Sequence, residues 1–297
     1  MRRALAATLA VGFAAAAFGD ASASTRGIAP TAPRGRAARP SPLVARGDVL
    51  VETQKGRLTT VTLAGHPVHP SPRIVAHGSW TDIELAPDRR HAFVSNLAEP
   101  RDLYELNLAN GHKRLIAHGF SPALSPDQSE LAYLAVGSVN GIEEVTALVI
   151  RNLRTQAVHA IPFAPPVTAG TPPEWITNWS PDGTQIALVS GEKTMLVEPA
   201  TAATVGSQAP IAGSAPAFLN ENALVVLANC CIGRQLLDTV DLQTGVRTPF
   251  AHLSSPTEFI RRVAPGRFLI LTALRELVIV ERGRTRVIAR GLSSAGV

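Results

Sequence analysis

The sequence predicts an all-β fold, a six-bladed β-propeller made of four-stranded antiparallel blades. The first observation is a Pro-Asp turn that recurs at Asp88, Asp127 and Asp182, at intervals of 39 and 55 residues. The second is the short apolar run after each turn, which is typical of a strand buried on both faces. The third is length, since residues 43–297 divided among six units give about 42 residues each, the size of a four-stranded blade.

The turn has a local physical cause. Proline holds φ near the value that the first central position of a type I turn requires, and aspartate hydrogen-bonds backbone groups just ahead of it. The clearest copy is Ser180-Pro181-Asp182-Gly183, which precedes an apolar run at 186–189. A hydroxyl and a carboxylate beside a glycine also suggest an active-site loop. The repetition favours a hairpin in every blade instead.

Composition supports a sheet-rich globular chain. Hydrophobic residues make up 45% of the sequence, aromatic residues 5% and charged residues 17%, which argues against disorder. The formal charge of +5 does not predict nucleic-acid binding, because no basic stripe alternates with aromatic residues in the repeats. Many of the arginines instead precede the first predicted strand: Arg2, Arg3, Arg26, Arg34, Arg36, Arg39 and Arg46.

The N-terminus predicts export. A basic start at Arg2-Arg3, an apolar stretch over 4–18 and Ala21-Ser22-Ala23 form a secretory signal peptide over residues 1–23. Residues 24–42 are rich in Pro, Arg and Ala without periodicity, which predicts a disordered basic linker. No later apolar run is long and uncharged enough to span a bilayer, so we expect a soluble protein in the periplasm, the envelope space or the medium.

The first two units follow one plan. The first begins near Ser41, with strands predicted at 48–53, 57–63 and 73–76. In the second, Asn110-Gly111 is a strong signal for a tight turn. The four strands of the second unit are predicted at 81–85, 91–96, 102–108 and 113–117.

The later units keep the pattern while the turn motif decays. Residues 219–222 and 263–266 stand where the Pro-Asp turn would be in the fifth and sixth units, and an insert at 139–141 lengthens the third. The predicted bounds of units three to six are 121–166, 175–213, 214–255 and 256–297.

These motifs resemble the repeats of the TolB-like propellers. The resemblance rests on Ser180-Pro181-Asp182-Gly183 and the following Ile186-Ala187, within units of about 40 residues. It covers residues 43–297 and implies the scaffold. In TolB an α/β domain precedes the propeller and the protein works with the Tol–Pal envelope system, whereas here the linker stands in that place. The related prolyl peptidases carry a G-x-S-x-G nucleophile motif that is absent from this sequence.

Polar residues in the innermost strands mark the predicted ligand site. The innermost strand of each blade lines the central channel, where a core-like apolar pattern is expected. Residues four positions before the turn aspartate vary in type among the units, and several are polar. We therefore place a ligand site at the channel mouth, with the alternative that these residues hydrogen-bond one another in a solvated channel: Asp82, Glu84, Asn178, Arg261 and Arg262.

Two other groups of residues could carry chemistry. His66, His69 and His77 could bind a metal, but they surround a Pro-rich loop without a carboxylate at a recognised spacing, so we predict neither a metal nor another cofactor. Cys230 and Cys231 are the only cysteines and are adjacent. In an oxidising compartment they form a vicinal disulfide, remain free thiols or link two chains.

The function predicted from the sequence is binding. A complete scaffold without an assembled catalytic motif predicts a monomeric, exported, non-catalytic propeller whose partner is a protein, peptide or glycan of the cell envelope. The alternative is a metal-dependent hydrolase or lyase, similar to the lactonases, with its site in the channel. That alternative requires three or four histidine or carboxylate side chains converging from different blades.

Overall fold

In the computed structural model, every regular element of the described residues is a β-strand. These residues belong to one compact unit, Ser41–Val297. The predicted signal peptide and nearly all of the predicted linker lie outside them. No helix in the described part of the chain is long and apolar enough to cross a membrane. The structure describes residues 41–45, 48–63, 74–96, 101–139, 141–168, 177–190, 193–201, 211–228 and 235–296.

The chain enters the fold through two strands of blade 1. Asp48–Thr53 (β1) and Leu58–Thr62 (β2) pair antiparallel, with Val51 opposite Thr59. A single bridge between Arg57 and His77 lies beside the third strand predicted at 73–76. The bridge replaces a full strand at this edge.

Blades 2 and 3 share one long strand. Its first part is the outermost strand of blade 2, and from Gly119 onward it is the innermost strand of blade 3. The strands of blade 2 are Asp82–Leu85 (β3), His91–Ser95 (β4), Asp102–Asn107 (β5) and the shared Lys113–Leu124 (β6). Those that complete blade 3 are Glu130–Val139 (β7), Ile142–Asn152 (β8) and Val158–Thr168 (β9).

Blades 4 to 6 are separate antiparallel four-stranded sheets in chain order. Blade 4 contains Thr177–Trp179 (β10), Ile186–Ser190 (β11), Lys193–Val197 (β12) and Ile211–Ala212 (β13). Blade 5 contains Ser214–Asn220 (β14), Ala223–Leu227 (β15), Gln235–Asp241 (β16) and Arg247–Leu253 (β17). Blade 6 contains Thr257–Ala264 (β18), Arg267–Thr272 (β19), Glu276–Glu281 (β20) and Arg284–Arg290 (β21).

The last strand corrects one predicted boundary. Leu292–Gly296 (β22) pairs antiparallel with β1, where Val51 lies opposite Ala295, so it is the innermost strand of blade 1. The expectation that the sixth unit extends to the end of the chain is therefore wrong for this strand. Counting units along the sequence cannot reveal a sheet whose strands come from both ends of the domain.

Hydrophobic clusters between neighbouring blades form the core. Within the described residues there are six clusters, and each joins one pair of adjacent blades around the ring. Phe268 of β19 packs with Val225 of β15 between blades 5 and 6, and Leu269 packs with Val49 and Val51 between blades 6 and 1. Adjacent residues of β19 thus face opposite neighbours, which explains the apolar character of both strand faces. The six-bladed fold predicted from the sequence is confirmed.

The Pro-Asp turns are held by side-chain hydrogen bonds as well as by the backbone. In blade 4 the Ser180 hydroxyl donates to Asp182 Oδ1 at 2.6 Å, and the Thr184 amide and hydroxyl donate to the same carboxylate at 3.1 and 2.9 Å. The Gln185 amide donates to Ser180 Oγ at 2.9 Å. The aspartate and serine thereby satisfy polar groups that the reversing strand would otherwise leave without partners.

Candidate functional site: the mouth of the central channel

The innermost strands bring one set of loops to a common face of the ring. The Pro-Asp turns follow β3, β6 and β10, and the equivalent turns of blades 5 and 6 follow β14 and β18. At this face the channel opens into a cavity of about 230 Å³. We call this cavity the channel mouth. Residues from blades 2 to 6 line it, among them Glu84, Ala123, Asn178, Phe218, Arg261 and Arg262.

A buried ion pair spans the channel mouth. Arg261 Nη1 of blade 6 lies 3.1 Å from Glu84 Oε2 of blade 2, and the two side chains are 11% and 9% exposed. The same guanidinium donates from Nη2 to the Pro122 carbonyl at 2.9 Å, and the Leu124 amide donates to Glu84 Oε1 at 3.3 Å. The pair therefore connects blade 6 with blades 2 and 3 across the channel.

Burial dominates the electrostatics of Glu84. Desolvation raises the pKa of this carboxyl above its ordinary value, while Arg261 and the Leu124 amide act in the opposite direction. Within the described residues, no N–H is aimed at Glu84 Oε2 with hydrogen-bond geometry, although Arg261 lies close to it. One acceptor atom of the channel mouth thus lacks a hydrogen bond.

Arg262 differs from its neighbour Arg261 because it has no partner in the described part of the chain. Its Nε is buried and makes no hydrogen bond. Between Arg262 and Ala264 the pairing of β18 with β19 shifts register, as at a β-bulge. Bulges re-aim side chains at the ends of strands, and here both arginines line the same cavity.

The remaining polar groups of the wall are occupied by contacts between blades. Asn178 Nδ2 donates to the Pro216 carbonyl of blade 5 at 2.7 Å, and Trp179 Nε1 donates to the Ala123 carbonyl of blade 3 at 3.1 Å. The tryptophan ring also packs against the apolar cluster between blades 3 and 4. These contacts hold the wall in place and leave few of its donors available to a ligand.

Asp82 does not line the channel mouth. Its Oδ2 accepts hydrogen bonds from the Ser95 hydroxyl at 2.6 Å and from the Ser121 amide of blade 3 at 3.2 Å. The structure thus brings together four of the five residues predicted for the ligand site. It places Asp82 in the contact between blades 2 and 3.

Glu52 and Gln235 are among the buried polar residues that the sequence pattern did not reveal. Glu52 Oε2 of blade 1 accepts from the Trp80 amide at 3.2 Å, and Gln235 Oε1 of blade 5 accepts from the Thr257 amide at 2.8 Å. Each side chain binds the backbone where the next blade begins. The available signal was a polar residue at the end of an apolar strand, as in the Asp48–Thr53 segment.

The other predicted chemical groups lie outside the described residues. They include Cys230 and Cys231, and also His66 and His69, while His77 forms the bridge to Arg57 described above. Among the described residues, no three histidine, cysteine, aspartate or glutamate side chains lie close enough to hold a metal ion.

Comparison with solved structures identifies the architecture. TolB from Acinetobacter baumannii superposes with a TM-score of 0.51 at 13% identity, over 84% of this chain and 65% of that protein. A second TolB, from Agrobacterium tumefaciens, superposes with a TM-score of 0.51 at 12% identity, over 83% of this chain and 92% of that one. The chain has the fold of the TolB-like β-propellers.

A third solved structure also matches the fold. It is a protein of unknown function from Bacteroides thetaiotaomicron, with a TM-score of 0.51 at 13% identity, over 76% of this chain and 64% of that one. No protein-family model matches the sequence, and no curated protein matches it either. The chain spans about two thirds of the Acinetobacter TolB, so the TolB-like likeness describes the fold.

Proposed function

We propose that this protein is an exported, non-catalytic TolB-like propeller that binds a protein, peptide or glycan of the cell envelope at the channel mouth. The observation that carries the proposal is one cavity that combines a partly apolar wall with Arg262, which has no hydrogen-bond partner among the described residues. Ligand sites commonly combine an apolar lining with a few placed polar groups. The predicted signal peptide over residues 1–23 supports the choice of an envelope partner.

The size of the channel mouth favours part of a large partner over a whole small molecule. Pockets for drug-sized ligands measure about 300–1,000 Å³. The cavity of about 230 Å³ is smaller than that range. We infer that it takes one side chain, one chain end or one sugar ring of a partner whose remainder contacts the surrounding turns.

A steric block tests the proposal without changing the charge. Ala264 lines the channel mouth, whereas Ala157 lies exposed in the turn between β8 and β9. Wild-type chain, Ala264→Trp and Ala157→Trp would be immobilised and incubated with envelope extract of the source cell. Bound proteins would be identified by mass spectrometry and bound glycans by sugar analysis.

We expect at least one partner to be recovered by wild type and by Ala157→Trp and lost by Ala264→Trp. Recovery of the same partners by all three proteins would contradict binding at the channel mouth. Circular dichroism of both variants shows whether each retains the β-sheet signal of the wild type, so that a loss through misfolding is recognised.

Export has a separate measurement. The protein isolated from the envelope fraction or the medium should begin at Ser24, after removal of residues 1–23. Mass spectrometry of the intact chain measures this directly. A chain that is found only in the cytoplasm with Met1 or Arg2 at its start would contradict the export part of the proposal.

A further inference from the structure

The charges that line the channel mouth do not cancel. Within the described lining residues, the charged side chains are Glu84, Arg261 and Arg262. The first two form the ion pair across the channel. One positive charge, that of Arg262, is left over beside a wall of uncharged residues.

An unpaired guanidinium with a buried nitrogen is costly in the absence of a ligand. A buried polar atom without a hydrogen bond loses solvation that nothing in the protein replaces. Arg262 Nε is such an atom. Arg262 also lines the open cavity. An anion bound to its guanidinium from the cavity neutralises the charge, so the free energy of binding includes this electrostatic gain.

The other side chains with donors at the channel mouth each already have a protein partner, which makes Arg262 the polar anchor for a ligand. Asn178 Nδ2, Trp179 Nε1 and Arg261 Nη2 each donate to a backbone carbonyl. The Ser180 hydroxyl donates to the turn aspartate. The planar fork of a guanidinium matches the two oxygens of a carboxylate.

The residues beside Arg262 define what is attached to the anion. Val263 and Pro265 follow it along the chain and line the same cavity, so the group next to the anionic oxygens meets carbon rather than polar atoms. The single surplus positive charge matches a monoanion. A phosphate dianion would place a second negative charge in a cavity that already holds Glu84.

We propose that the channel mouth recognises a carboxylate of its partner and that Arg262 is the residue that binds it. This proposal rests on the proposed function, because it names the chemistry that the binding site selects. A carboxylate reaches the site from a peptide C-terminus, from an acidic side chain or from a uronic acid. All three present the same two oxygens on a carbon atom.

The experiment compares probes that differ in the carboxylate. Isothermal titration calorimetry at low salt would measure binding of acetyl-trialanine with a free C-terminus and of its C-terminal amide. An acetylated and amidated Ala-Glu-Ala peptide and D-glucuronate test the other two sources, and inorganic phosphate tests the dianion. The full chain is used as wild type, Arg262→Met, Arg262→Lys and Arg284→Met.

We expect at least one carboxylate probe to bind and the amide of trialanine to bind at least about tenfold more weakly than the free acid if the C-terminus is the source. Arg262→Met should lose about tenfold or more of the affinity for the carboxylate probe, and Arg262→Lys should lose less because it keeps the charge. Arg284→Met removes the same charge from an exposed position of blade 6 and should bind as wild type does.

Three results would overturn the carboxylate proposal: no binding of any carboxylate probe, equal binding by Arg262→Met, or tighter binding of phosphate than of every carboxylate. The two proposals fail separately. If Ala264→Trp loses an envelope partner that Arg262→Met still recovers, the channel mouth binds a ligand but not through this arginine. Retained binding by Arg262→Lys shows that weaker binding by Arg262→Met does not arise from loss of the fold.

Discussion

The Pro-Asp turns and the channel mouth lie on the same face of the ring, but the turns repeat from blade to blade and the residues of the channel mouth do not. In blades 3 and 4 the turn aspartate makes the same contacts. Asp127 accepts from the Ser125 hydroxyl at 2.6 Å and from the Ser129 amide at 3.1 Å, and Asp182 accepts at the same distances from the residues at the same offsets. A few residues away, blades 2, 3, 4 and 6 present different side chains to the channel mouth.

The difference separates architecture from site. The aspartate stabilises the hairpin turn in which it lies, so its repetition indicates the blade rather than a ligand site. The channel mouth carries a glutamate in blade 2, an alanine in blade 3, an asparagine in blade 4 and two arginines in blade 6. Glu84 and Arg261 contact each other across the channel. All of these residues line one cavity, so a ligand would meet them together. The site is therefore made of the departures from the repeat.

Loss of Arg261 should have the largest effect on stability. Arg261→Met leaves Glu84 buried without its counter-ion, and breaking a buried pair in this way should lower the free energy of unfolding by about 3 kcal/mol. Arg262→Met, at the next residue, removes a guanidinium that has no partner among the described residues and should change the free energy of unfolding by less than ~1 kcal/mol. Urea unfolding measures both. If both variants lose the same free energy of unfolding, the ion pair with Glu84 does not make Arg261 more important for stability than Arg262.

The pH dependence of stability should report Glu84 directly. A raised pKa means that the folded protein holds this proton more tightly than the unfolded chain does. The stabilising contribution of Glu84 to the free energy of unfolding is therefore complete below the ordinary pKa of 4.5. It is lost as the pH rises through the raised pKa of the folded protein. Glu84→Gln should lack this decline. Urea unfolding of the wild type and of Glu84→Gln between pH 4.5 and 8 measures this difference. Parallel curves of unfolding free energy against pH would contradict the prediction.

Loss of a turn aspartate should lower the free energy of unfolding by less, and by a similar amount in blades 3 and 4. Asp182→Ala removes the acceptor of three hydrogen bonds in an exposed turn, which should cost ~1 kcal/mol. Asp127→Ala in blade 3 should show a similar loss because its contacts are the same. Glu221→Ala, in the turn of blade 5 where the motif has decayed, serves as the control and should be near neutral. Unequal losses at Asp127 and Asp182 would mean that the two turns are not equivalent.

The smallest effect is expected at the residue after the aspartate. Gly183 has φ of 75° and Gln128 has φ of 61° at the same position of the two turns. A side chain in this left-handed conformation is strained, so Gln128→Gly should stabilise by about 0.5–1 kcal/mol and Gly183→Gln should destabilise by a similar amount. A Cβ on Gly183 meets only Pro126 Cδ at 3.7 Å, an ordinary contact. Thermal unfolding of both variants checks the opposite signs.

Much of the fold could be predicted from local signals. The turns at Asp88, Asp127 and Asp182 and the apolar runs after them identify the hairpins without reference to the rest of the chain, because Pro, Asp and Gly act within a few residues. The decayed turns at 219–222 and 263–266 were located by the period alone. The structure places hairpins at both.

The predictions that depended on distant parts of the chain were less complete. The innermost strand of blade 1 comes from Leu292–Gly296, some 240 residues after its partner strand, and no local pattern signals that pairing. Asp82 fits the pattern of a channel residue but binds Ser95 and the Ser121 amide between two blades. Glu52 and Gln235 were missed because their partners are backbone amides of the following blade.

The sequence by itself therefore determined the blade, its turns, the number of repeats and four of the residues at the channel mouth. Their causes are dihedral preference, hydrophobic periodicity and a polar residue in an apolar strand, all of which act over a few positions. Only the tertiary structure decided that Glu84 pairs with Arg261 and that Arg262 has no partner in the part of the chain the structure describes. That outcome depends on which side chains meet across the ring, and residues in blades 2 and 6 become neighbours only when the ring has closed.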